Sequence, residues 1–311
     1  MDIFEIVQSF AKSRSCTFGI CDASSLDTMH LKKSAFVPFV SRDIRKRTDP
    51  AVILPGVRSV IVVGVGWSGD LSVQNIISPC RSGNLPPEYI SHQNGRQVAA
   101  PTDYNGAQLS SLGTNDDYHI RVKSLLREMA DELSQHISFK YKILVDSSTL
   151  DERAFALRAG IGFFGRNGLI ISPQFGTQFN IGLLLTDIPP VTTSLPSKTE
   201  CPPHCRLCID ACPNSALQPD SPLDAAKCIS YLTQKRDLSD EETIMLHNQL
   251  YGCDICQDVC PFNTPRAKTL IDPQEWLTMS DAAFAEKYAH TAMLWQGMEL
   301  LRRNAQAVWK F

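Results

Sequence analysis

The 311-residue sequence predicts an α+β domain, then a small cysteine-rich module, then a short helical segment. Three observations predict this. Helical and strand-like hydrophobic patterns alternate from Ile3 to about Asp187, the segment IPPVTTSLPSKTE interrupts them, and eight of the eleven cysteines lie between Cys201 and Cys260. Length and 43% hydrophobic content suffice for two cores. The expected domains are therefore 1–187, 188–270 and 271–311.

The elements follow in order. Ile3 to Phe10 has helical spacing, FGICDAS reads as a short strand, and VIVVGVGW is a continuous β-branched run suited to a strand buried on both faces. From Ser68 to Gly113 the chain is rich in Gly, Pro, Ser, Asn and Gln without a sustained period, which predicts a long loop or lid. Asn115 or Asp116 can cap the next helix, which sets Tyr118, Val122, Leu125, Leu126, Met129 and Leu133 on one side. The strand YKILVD follows, then a helix from about Leu150 to Ala159, a glycine-rich turn AGIGFFGRNG, and the strand-like runs LIIS and FNIGLLLT.

Net charge is −3, so no global positive field draws the chain to nucleic acid, and the basic clusters Arg42, Arg45, Lys46, Arg47 and Arg302, Arg303 read as solvated faces. The first residues lack a basic start with an apolar run and cleavage site, and no run is long enough to span a bilayer, so a cytoplasmic protein without a membrane partner is expected. In a reducing compartment the cysteines serve metals or catalysis rather than disulfides.

Their spacing specifies iron. The first run is Cys201-x3-Cys205-x2-Cys208-x3-Cys212-Pro213, the second is Cys253-x2-Cys256-x3-Cys260-Pro261, and Cys228 stands between them. Thiolates are soft donors, and short spacings let consecutive sulfurs wrap a 4Fe-4S cubane, whereas structural zinc asks only for separate CxxC pairs. In two-cluster ferredoxins the cysteine before proline ligates the other cluster. That rule groups Cys201, Cys205, Cys208 and Cys260 on one cluster, and Cys212, Cys228, Cys253 and Cys256 on the second. Three residues separate Cys201 from Cys205 where two are usual, which leaves His204 as a substitute ligand that is less favoured than Cys201. Cys16, Cys21 and Cys80 read as ordinary thiols.

The sequence resembles the epoxyqueuosine reductase family along most of its length. The resemblance is carried by LPGVRSVIVV (54–63), DDYH (116–119), VDSSTLDERAFALRAGIGFFGRNGLI (145–170), CIDACPNSAL, KCISYLT, YGCDICQDVCPFN and LLRRNAQAV. It implies a nitroreductase-like, cobalamin-binding catalytic domain before the two-cluster module. It also implies reductive removal of the epoxide oxygen of epoxyqueuosine in tRNA, with electrons from an external low-potential donor. A related corrinoid iron–sulfur reductase acting on a small molecule such as an organohalide, and a non-catalytic corrinoid-handling electron carrier, are alternatives.

Asp146 ends an apolar strand, so its carboxyl is expected to emerge, partly buried, at the strand edge as a proton donor; helix capping is the competing role. The resemblance places the family's acid there and assigns Tyr118 and His119 to the same site. Arg153 suits a phosphate or a cofactor amide, or a pairing with Asp151 or Glu152. Gly160, Gly162 and Gly165 imitate a dinucleotide fingerprint but precede a strand, which excludes nicotinamide binding. The resemblance instead assigns Arg153, Gly162, Gly165 and Asn167 to the corrinoid cofactor.

Overall fold

A computed structural model describes residues 2–27, 41, 43–67, 106–146, 149–191, 200–219 and 223–309. Arg42, Cys80, most of the Ser68 to Gly113 segment and most of IPPVTTSLPSKTE lie outside the described residues. The described residues fall into two compact units. One holds residues up to 67 and Tyr118–Cys201, and the other holds 106–117 and the chain from Pro202 on.

The first unit is built on a four-stranded sheet ordered Thr17–Asp22, Ser59–Gly66, Phe179–Thr186, Tyr141–Leu144. Every pairing in it is antiparallel. Successive strand side chains point to opposite faces, so each central strand feeds two cores. Val60, Val62, Leu183 and Leu185 pack with Phe155 on one face, while Ile61, Val63 and Leu184 pack with Val7, Leu126 and Met129 on the other. This is why the β-branched run contains so few polar residues.

Helices Ile3–Ser13 and Tyr118–Ser134 cover the second face. Val122, Leu126, Met129 and Leu133 are buried there, with Tyr118 and Leu125 packed at the margin, as the helical period predicts. The approach is close: a Cβ at Gly182 would lie 2.5 Å from Val122 Cγ1. The expected cap at Asn115 or Asp116 is not found. Asn115 ends a short helix, Ser111–Thr114, and Asp116 forms a bridge with Thr291.

The second unit contains a three-stranded sheet in which Ala107–Leu109 lies between Gln249–Tyr251, parallel to it, and Thr269–Ile271, antiparallel to it. The end of the segment expected to be loop is therefore strand and helix. Its three-residue strand is too short to show a period, and its hydrogen bonds come from strands far along the chain. Trp276, Phe284, Tyr288 and Leu301 form the core beside the sheet. Arg302 and Arg303 are engaged locally, Arg302 with Asp281 at 2.5 Å and Arg303 with the Arg236 carbonyl at 2.7 Å.

Candidate active site and cluster ligands

Strand Tyr141–Leu144 is anchored by buried Leu144 and followed by buried Val145, and it delivers Asp146 at its end. The Asp146 side chain is 69% exposed, more open than the partial burial expected from the sequence. Its backbone has φ +46°, the left-handed region that Asp and Asn enter more readily than most residues. Helix Tyr118–Ser134 brings its first two residues to this carboxyl. Tyr118 donates its hydroxyl to Asp146 Oδ2 at 2.6 Å, and His119 Nε2 lies 4.0 Å from the same oxygen. The two rings stack with centroids 4.0 Å apart, which orders both against one carboxylate oxygen.

Asp146 does not cap a helix. The cap of Glu152–Arg158 is Asp151, whose side chain accepts from the Ala154 amide at 3.2 Å. Glu152 instead turns back to the strand end, where its Oε1 accepts the Asp146 amide at 2.8 Å. Burial pushes the Glu152 carboxyl up to about 8, and the charge of Asp146 acts in the same direction. In the sequence Glu152 reads only as a partner for Arg153. The one signal there is its place just past the Asp146 turn, and nothing local reveals an amide pointing back at it.

Arg153 pairs with neither acid. Its Nη1 donates to the Gly168 carbonyl at 2.9 Å and so ties the helix to the glycine-rich turn. That turn joins the two-stranded hairpin Phe163–Phe164 and Ile170–Ile171, with Gly168 at φ +75°. Gly162 serves packing, since a Cβ there would fall 2.1 Å from the Ile171 carbonyl oxygen. Replacing Gly162 with Ala is expected to cost about 1–3 kcal/mol of stability by overpacking, read as a fall in denaturant midpoint at unchanged m-value. At Gly165 a Cβ would meet Asn167 Oδ1 at 2.7 Å. Asn167 is buried, and its Oδ1 accepts the Leu169 amide at 3.2 Å. Its Nδ2 is buried without a hydrogen-bond partner among the described residues.

In the second unit three segments carrying cysteines are tied together by side-chain hydrogen bonds. After Cys212-Pro213, Asn214 Nδ2 donates to the carbonyls of Lys227 at 3.0 Å and Met245 at 2.9 Å. Thr233, at the end of KCISYLT, accepts the Gly252 amide on its hydroxyl at 2.9 Å. Asn304 of the last helix, Met298–Trp309, is fully buried and donates to the carbonyls of Thr233 at 2.8 Å and Leu250 at 2.9 Å. Leaving such a carbonyl unpaired costs about 1–3 kcal/mol, which explains an Asn on the otherwise apolar buried face of this helix.

Cys208, Cys212, Cys228, Cys253 and Cys256 lie close enough for their charges to act on one another. Burial pushes Cys253 up to about 12, and the charges of Cys228 and Cys212 act on it in the same direction. Cys256 is driven well above the usual thiol range by burial, with Cys253, Cys228, Cys208 and Cys212 adding to it. Cys205 and Cys260 are buried, and Cys201 and Cys208 half-buried. Cys228, Cys253 and Cys256, buried in this way, ionise poorly alone. Iron centres invert that balance, because a coordinating thiol is deprotonated by the metal's charge. Cys16 and Cys21, pushed up by burial to about 11 and about 12, are inert by the same reasoning.

Residues 201–263 match the model of a 4Fe-4S double cluster binding domain, and residues 47–147 match that of epoxyqueuosine reductase QueG, DUF1730. An epoxyqueuosine reductase of Staphylococcus aureus is 32% identical over 312 residues, covering 93% of this chain and 74% of the relative. The chain belongs to the epoxyqueuosine reductase family. Two solved structures of the family align with 99% of the chain. An epoxyqueuosine reductase with an epoxyqueuosine-modified tRNA-Tyr stem loop aligns at TM-score 0.77 and 27% identity, over 81% of its length. The Bacillus subtilis enzyme, with its catalytic aspartate loop swung out of the active site, aligns at TM-score 0.76 and 25% identity, over 82% of its length. For this family member, no helix among the described residues is long and apolar enough to cross a membrane.

Proposed function

We propose that this chain is a cobalamin- and iron–sulfur-dependent reductase that converts epoxyqueuosine to queuosine in tRNA, working in the cytoplasm with an external low-potential electron donor. The observation that carries the reading is the convergence of Tyr118 and His119 on one oxygen of Asp146. A non-catalytic carrier has no use for such an arrangement, and the family relatives supply the substrate.

The chemistry sets what these residues must do. Converting an epoxide to an alkene consumes two electrons and two protons and releases the oxygen as water. Cobalamin, when bound, supplies the reducing centre, and the clusters feed it electrons. Asp146 delivers a proton to the departing oxygen. Tyr118 holds the carboxyl through its 2.6 Å hydrogen bond, and His119 stands ready to return a proton to it. Exposure of Asp146 suits a substrate as large as a tRNA, which must reach the acid from outside.

The first unit takes the nitroreductase-like form in this reading. Of the four residues assigned to the corrinoid, Asn167 fits best, because its buried Nδ2, without a partner among the described residues, can donate to an amide carbonyl such as those rimming a corrin. Arg153, Gly162 and Gly165 shape the turn that carries it. The first cluster is held by Cys201, Cys205, Cys208 and Cys260, and the second by Cys212, Cys228, Cys253 and Cys256. Cys212 acts on Cys228, and both act on Cys253, which supports placing these three together, while Cys208 of the other set also acts on Cys256.

The test is direct. Anaerobically prepared protein is expected to hold about eight iron and eight sulfide per chain, and with cobalamin and a low-potential reductant to convert an epoxyqueuosine stem loop to queuosine. Stoichiometric zinc in place of iron sinks the cluster assignment. Intact clusters and bound cobalamin without conversion sink the substrate.

A further inference from the structure

Asp146 sits in a backbone conformation that L residues adopt at a cost, and such a conformation persists only when its surroundings hold it. The group that grips its amide is Glu152 Oε1, at 2.8 Å. Glu152 is itself fixed, as the first residue of helix Glu152–Arg158, whose Asp151 cap is bonded through its own amide to the Arg47 carbonyl at 3.0 Å. The charged groups acting on Glu152 are Asp146 and Asp151, which raise its pKa, and Lys123 of the Tyr118–Ser134 helix, which lowers it. Burial outweighs Lys123, so near neutral pH Glu152 accepts the amide as a largely uncharged carboxyl.

We propose that Glu152 is a positioning residue for Asp146, whose bond to the Asp146 amide fixes the backbone that aims the Asp146 carboxyl at the Tyr118 hydroxyl. The inference rests on the reading of Asp146 as the proton donor. What matters is an acceptor oxygen at the right reach, not a charge. Gln retains such an oxygen. Asp retains the carboxyl but, one methylene shorter, falls short of the amide.

The experiment compares Glu152→Gln, Glu152→Asp and Glu152→Ala in the full-length, cluster-loaded protein. Hydrogen exchange at the Asp146 amide, read with residue resolution, reports the bond without reference to any substrate. Glu152→Gln is expected to keep wild-type protection, while Glu152→Asp and Glu152→Ala lose it about tenfold or more. On an epoxyqueuosine stem loop the two short variants are expected to lose roughly 10²-fold in kcat, with KM within about threefold, because misplacing a reacting group by about 1 Å costs that much. Glu152→Gln is expected to keep kcat within about threefold. Equal Asp146 exchange in wild type and Glu152→Asp overturns the inference, as does full kcat in Glu152→Asp. Should Glu152→Ala fail to fold, Glu152→Asp carries the comparison alone. Should the wild-type chain not act on epoxyqueuosine, the exchange result still decides whether Glu152 holds Asp146, so the two failures are distinguishable.

Discussion

Replacing Asp146 with Asn is expected to lower kcat on an epoxyqueuosine stem loop by roughly 10²- to 10⁴-fold, the range that a general acid contributes. Iron content, cobalamin binding and melting temperature are expected to stay at wild-type values. The structural reasons are specific. The side chain is 69% exposed, so no core contact is lost. Asn tolerates the φ of +46° as readily as Asp, and its amide oxygen still accepts the Tyr118 hydroxyl. Capping is not disturbed, because Asp151 caps the following helix. The variant therefore removes a transferable proton and little else. Single-turnover rates with pre-reduced protein are the measurement that counts, since they separate proton delivery from electron supply. A near-wild-type rate would show that another group or water supplies the proton. His119→Ala is expected to act in the same direction with a smaller loss, as His119 stands 4.0 Å from the carboxylate rather than in contact with it.

Replacing Cys253 with Ser is expected to abolish one cluster and leave the other, reducing iron from about eight to about four per chain. Ser offers a harder, far less acidic donor than a thiolate, and iron in a cubane favours sulfur. Cys205→Ser is expected to damage the other cluster, since the ligand-crossing rule of two-cluster modules separates the two residues. Electron paramagnetic resonance of the reduced variants distinguishes the signals. Loss of the same signal in both variants would mean that the ligand sets are wrongly divided. Either loss is expected to stop multiple turnover while sparing the Asp146 site, because the electron path is cut and the acid is untouched. The hydrogen bonds through Asn214, Thr233 and Asn304 are expected to remain in Cys253→Ser, so the unit is expected to stay folded with one cluster lost.

Most of the first unit's elements are legible locally. The run VIVVGVGW is apolar on both alternating faces, and a strand with two apolar faces has to lie between two packed layers. Likewise Val122, Leu126, Met129 and Leu133 declare a helix face through three- and four-residue steps, whatever that face meets. The cysteine spacings are local in the same sense, because the reach of a short loop limits which sulfurs can share a metal. None of these inferences requires knowing what lies far along the chain.

What the sequence by itself determined is thus the chemistry of the thiols, the kind of element at most positions, and the family to which the motifs point. Only the tertiary structure decided the pairings between distant residues. Ala107–Leu109 is a strand because Gln249–Tyr251 and Thr269–Ile271 offer it backbone partners, and its own three residues carry no period. Asp146 meets Tyr118 because strand Tyr141–Leu144 and helix Tyr118–Ser134 pack on a shared core, and the exposure of the acid follows from where that strand ends. Glu152 takes the Asp146 amide because the helix that begins at Glu152 starts within reach of the end of strand Tyr141–Leu144. Periodicity reports which face of an element is apolar, whereas a hydrogen bond between elements depends on how the packed faces bring their ends together.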